Sequence, residues 1–147
     1  MITNDSNVAR ALFSPKMVVD GEIQPEAFKL RASIKEDFIS VAQMSISSWL
    51  DDIKSIPQYK NRHLCGYAKM NVGAIRGIQL RGVAYDVRDC SNKSKPSHAG
   101  IFISINGENL IGGKRLECIA NGMEQDFLLL AIQRELVDIA QKGLVTT

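Results

Sequence analysis

Between residues 100 and 111 the chain reads GIFISINGENLI, an order of residues that fits a β-hairpin and little else. Residues 100–105 are rich in β-branched and aromatic side chains. Asn106-Gly107 supplies the two positive-φ positions of a type I′ turn, and residues 108–111 return. Ile101, Ile103 and Ile105 fall on one face of the first strand and Phe102 on the other. Apolar residues on both faces predict a strand inside a sheet rather than at its edge. His98 heads that strand, behind a Pro96-Ser97 turn.

A second strong pattern closes the chain. Leu128, Leu129, Ile132, Leu136, Ile139 and Ala140 occupy an arc of about 120° at helical spacing. Asn121 is placed to cap this helix with Glu124 at its third position, and Lys142-Gly143 suits its end. Leu130 and Val137 lie outside the arc. Ser47 or Ser48 precedes a shorter helix whose Trp49, Ile53 and Ile56 form one stripe before Pro57. Alternation predicts strands over residues 37–44, 63–70 and 82–88, with a short glycine-weakened helix over 71–78. Residues 17–19 read as extended, Asp20-Gly21 as a turn and Pro25 as the opening of a brief helix, while residues 8–13 fit a short strand or a turn of helix equally. Residues 89–97, DCSNKSKPS, form a loop. The sum is one α+β domain over residues 1–147: a mainly antiparallel sheet with a central hairpin, covered by a long C-terminal helix and a shorter Trp-containing helix.

At 147 residues and 45% hydrophobic content the chain can bury a sizeable core without staples. Cys65, Cys90 and Cys118 form no CxxC pair, so reduced thiols are expected, with neither a disulfide framework nor a zinc site. No apolar run is long enough to span a membrane and the N-terminus lacks a signal-like core, so the expected location is cytoplasmic. The net charge of +2 is unevenly spread. Residues 58–115 carry ten Lys/Arg against three Asp/Glu, and both flanking segments are acidic. Arg76, Arg81, Arg88, Lys93, Lys95, Lys114 and Arg115, together with His98, are therefore the candidate binding residues for an acidic or phosphate-bearing partner. A scattered, merely solvating charge is the alternative.

No nucleotide-binding glycine motif, HExxH or GxSxG occurs. Asp51-Asp52 reads as a solvated helix face, and Gly112-Gly113 as a turn. Thiol catalysis requires a cysteine with a base in reach, and Cys65 or Cys90 with His98 has the right residue types. Ser97-His98-Ala99-Gly100-Ile101-Phe102-Ile103, followed by Asn106-Gly107 and Ile111-Gly112-Gly113, resembles the histidine strand of NlpC/P60-type cysteine peptidases. That resemblance implies catalytic roles for Cys65 and His98, although Cys65 stands in a strand-like segment and no orienting polar residue follows His98.

Ala11-Leu12-Phe13-Ser14-Pro15, Val19-Asp20-Gly21, Ala27-Phe28, Ile39-Ser40-Val41 and Pro96-Ser97-His98-Ala99 are similar in type and spacing to segments of small bacterial proteins of uncharacterised function. This implies a bacterial, cytoplasmic, compact protein and assigns no activity. The expected function is that of a non-catalytic binding or accessory protein of a bacterial multigene system, engaging an acidic or protein partner or a second copy of itself, without cofactor, metal or membrane. Nucleic-acid binding and an NlpC/P60-like hydrolase using Cys65 and His98 are the alternatives.

Overall fold

The computed structural model describes residues 2–115 and 124–146. Strand β1 spans Asn7–Ser14, and the short pair β2, Val18–Val19, and β3, Glu22–Ile23, leads into a 3-10 helix at Pro25–Phe28. Then come β4 at Ile39–Gln43, helix α1 at Trp49–Lys54, β5 at His63–Asn71 and α2 at Val72–Arg76. Strands β6 at Val83–Asp89, β7 at His98–Ile105 and β8 at Glu108–Asn109 precede α3 at Gln125–Lys142 and β9 at Leu144–Thr146. All pairings are antiparallel and the main sheet runs β6-β7-β4-β1-β5-β9, with β8 also on β7. This is the expected α+β architecture, with the long C-terminal helix in place.

The hairpin forms as its residues dictate. Asn106 (φ 51°) and Gly107 (φ 83°) take the two positive-φ positions, and β7 lies between β6 and β4, inside the sheet. Ile101, Ile103 and Ile105 are buried beneath α3, which contributes Leu128, Ile132, Leu136 and Ala140. Tyr85 on β6 donates its hydroxyl to the Ile132 carbonyl at 3.0 Å, and its burial raises the phenol pKa. Asn71 caps α2 by accepting the Ala74 amide at 2.9 Å.

Helix α3 begins one residue beyond Glu124, which is its N-cap and makes no side-chain capping bond. Asn121, expected to cap it, lies outside the described residues, as does Cys118. Residues 8–13 belong to the long central strand β1, which pairs with β5 along its whole length. Helix α1 covers the opposite face of the sheet, where Ile53 packs on Ala9, Ala11, Phe13 and Ala42.

The centre of the sheet is split. β1 and β4 pair only at Val8↔Gln43 and Ala9↔Ala42. Beyond Ala9 the two strands diverge, although β1 continues to Ser14 and β4 begins at Ile39.

Candidate functional site

The split opens into a cleft of about 840 Å³, within the range of small-molecule sites. Its floor includes Ala9, Ala11, Ser40 and Ala42, small residues that leave room above the sheet. Its walls include Ile53 and Ile56 beside α1, Arg62 and Tyr59 before β5, and the segment from Lys29 to Glu36. Arg10, Ser97 and His98 also line it.

Arg10 stands between Val8 and Leu12 on β1, positions that are otherwise fully buried. Its side chain turns into the gap that a longer β4 ladder would fill. Nε donates to the Ala27 carbonyl and one terminal nitrogen to the Ser40 carbonyl, both at 2.9 Å. None of the ion pairs among the described residues includes Arg10. Burial lowers its pKa to about 10, with Glu36 opposing and Arg31 and Arg62 reinforcing the fall. Glu36 is itself engaged by Arg31, whose terminal nitrogen lies 3.0 Å away, and Arg62 lies over the Phe13 ring at 3.9 Å. A half-buried guanidinium whose hydrogen bonds among the described residues go to neutral carbonyls is an arrangement that an incoming anion would favour.

Across the cleft, His98 Nε2 lies 3.2 Å from the Ser40 hydroxyl. The register pairs Ala42 with His98 and Ser40 with Gly100, so serine and histidine are diagonal neighbours on one face. Burial lowers the His98 pKa, aided by Lys95 and opposed by a hydrogen bond to the Cys90 backbone and by Asp52. The Phe38 ring packs beside the imidazole, with ring centres 5.7 Å apart. Phe38 can lie there because β7 carries Gly100, where a Cβ would meet the ring. Asp52 is part of the same wall rather than a solvated face. It accepts the Ser97 amide at 3.1 Å, the Ser97 hydroxyl, and the Ser48 hydroxyl at 3.2 Å, and these bonds hold its pKa low.

The residues singled out in the sequence are dispersed. Cys65 is the extra residue of a β-bulge opposite Leu12/Phe13, and its thiol donates to the Leu12 carbonyl at 3.4 Å. It lies three strands from His98, about 14 Å at ordinary strand spacing, and burial raises its pKa. The structure does not bring these two residues together. Cys90 adjoins His98 through the backbone, but its thiol faces the Arg88 carbonyl and is also pushed up by burial.

Arg76 binds Asp86, the carbonyls of Ile2 and Val87, and Asn4, bracing the chain start and α2 against β6. Arg88 shares Asp86 and lies over Phe102. Burial alone would raise the Asp86 pKa, but the two arginines leave it lowered. Lys114 pairs with Glu108 at 3.7 Å, and Arg115 is exposed after it. Arg81 adjoins Gly82, at the Asn106 end of β7, whereas Lys93 and Lys95 sit at its His98 end, about 25 Å away along the strand. Of the basic set only Lys95 and His98 reach the cleft. Ser40 entered the sequence reading only within the Ile39-Ser40-Val41 segment and Arg10 not at all; it is the fold that brings both to the cleft with His98.

Among the described residues no three His, Cys, Asp or Glu side chains form a metal-ligand group, and no helix is long and apolar enough to cross a membrane. Comparison with known proteins found no matching family model, no similar curated protein and no similar solved structure.

Proposed function

We propose that this protein works by binding an anionic group of a ligand or partner in the β1–β4 cleft, with Arg10 as the anchoring cation. The observation that carries the reading is the Arg10 guanidinium, half-buried against two backbone carbonyls with no carboxylate in ion-pair contact among the described residues. Arg62, Lys29 and Lys95 around the cleft add positive potential that favours entry of an anion. The setting we propose is the one read from the sequence: a cytoplasmic accessory protein in a bacterial multigene system. The acidic partner expected for the basic middle segment is thereby assigned to the cleft, because Arg76, Arg88 and Lys114 are already engaged by acidic side chains.

Thermal unfolding in the presence of succinate or inorganic phosphate tests this. A ligand bound only by the folded state raises the midpoint in a saturable way. The rise should shrink with added salt and disappear in Arg10→Gln, which retains an N–H donor for the backbone carbonyls. Equal shifts in the wild type and Arg10→Gln would remove Arg10 as the anchor.

A further inference from the structure

A serine hydroxyl becomes a nucleophile when a neutral base lies within hydrogen-bond reach, a third group orients that base, and an electrophile can approach. Ser40 has the first in His98 Nε2 at 3.2 Å. His98 is positioned by the Phe38 ring and by its bond to the Cys90 backbone. Burial keeps the free imidazole neutral at pH 7, and both side chains line the cleft. Arg10 donates to the backbone carbonyl of Ser40 itself and lines the same cleft.

We propose that Ser40 and His98 are a nucleophile–base dyad that hydrolyses a carboxylic ester whose acyl portion bears a second, anionic group held by Arg10. The charge of this substrate rests on the Arg10 reading above; the chemistry rests on the Ser40–His98 geometry. Ser40 Oγ adds to the acyl carbon while Nε2 takes the hydroxyl proton. The tetrahedral adduct collapses, the bond between the acyl carbon and the alcohol oxygen breaks, and that oxygen receives the proton from His98. Water then adds to the acyl carbon and passes a proton to Nε2. The bond to Oγ breaks, Oγ recovers the proton and the acid leaves. The nucleophile is therefore Ser40, where the resemblance to cysteine peptidases implied Cys65, and His98 keeps the role of base.

The test treats the whole protein with a fluorophosphonate, which labels activated serines, and measures hydrolysis of para-nitrophenyl hydrogen succinate against para-nitrophenyl acetate. The expected adduct maps to Ser40, is lost in Ser40→Ala and forms on the order of 100-fold more slowly in His98→Gln. The succinate ester should be preferred by about ten- to hundredfold, the range of a charge-assisted contact. Arg10→Gln should abolish that preference while Ser40 still labels. A wild-type protein that leaves Ser40 unlabelled and turns over esters no faster than Ser40→Ala overturns the dyad. Labelling of Ser40 with a preference unchanged in Arg10→Gln overturns the Arg10 assignment and upholds the dyad. Ser40→Cys guards against misfolding: position 40 should react with iodoacetamide faster than Cys65 or Cys90, and slower reaction there counts against the dyad.

Discussion

Asp52 on α1 accepts both the amide and the hydroxyl of Ser97, the residue immediately before β7, and so ties the helix over the cleft to the strand that carries His98. Ser97 is fully buried. Ser97→Ala removes one of the two bonds and should cost about 0.5–1.5 kcal/mol. Denaturant unfolding gives the cost, and an unchanged midpoint would show that the latch contributes nothing.

The α3 interface should respond to shape more than to hydrophobicity. Leu136 is fully buried against the sheet, so Leu136→Ala should cost about 2–5 kcal/mol through the cavity it leaves. Ile132→Leu conserves volume and should cost less than about 1.5 kcal/mol. Tyr85→Phe keeps the ring but leaves the Ile132 carbonyl without its hydroxyl donor, for about 0.5–1.5 kcal/mol. Urea midpoints of the three variants should fall in that relation, with Leu136→Ala the least stable.

Gly100→Ala should act on His98 without touching it. A Cβ at residue 100 would lie 2.5 Å from the Phe38 ring, which must move away and release the imidazole packed against it. The histidine titration followed by NMR should shift toward its ordinary value in Gly100→Ala. A titration identical to wild type would mean that Phe38 does not hold the ring.

Acid should weaken the fold in two separate ranges. The folded-state pKa of His98 is lowered by burial first and Lys95 second. The unfolded chain therefore binds the proton more readily, and stability declines as pH falls through the ordinary value of about 6.5. Asp52 and Asp86 have lowered folded values, so their contribution is complete above the ordinary value of 3.8 and is lost as pH falls through the folded values below it. His98→Gln should abolish the first decline and keep the second. A wild-type protein equally stable on both sides of the histidine range would contradict the sign of the His98 shift.

The parts of the fold that were legible in the sequence have a single dominant period. Asn106-Gly107 and the α3 stripe are local patterns, and both formed as expected. β1 was ambiguous because Ala9, Ala11 and Phe13 are buried on one face while Val8 and Leu12 are buried on the other, which erases alternation; Arg10 then interrupts the apolar run. β9 has only three residues and exists because β5 offers it an edge, with Gly66 leaving room for the Val145 carbonyl. The site was legible only at Lys95 and His98. A charge count along the chain cannot show that Arg76 and Arg88 converge on Asp86, nor that Ser40 comes to rest beside His98, since those relationships belong to register.

The two-pair junction between β1 and β4 is the shortest ladder along the main sheet, a fault line between β6-β7-β4 and β1-β5-β9. Breathing motions should concentrate there, because local opening is easiest where the fewest backbone bonds must break. An anion bound in the cleft as proposed would act as a missing rung across that line. Its arrival would be recorded as slower deuterium uptake in amides on both sides of the line, including strands the anion never touches.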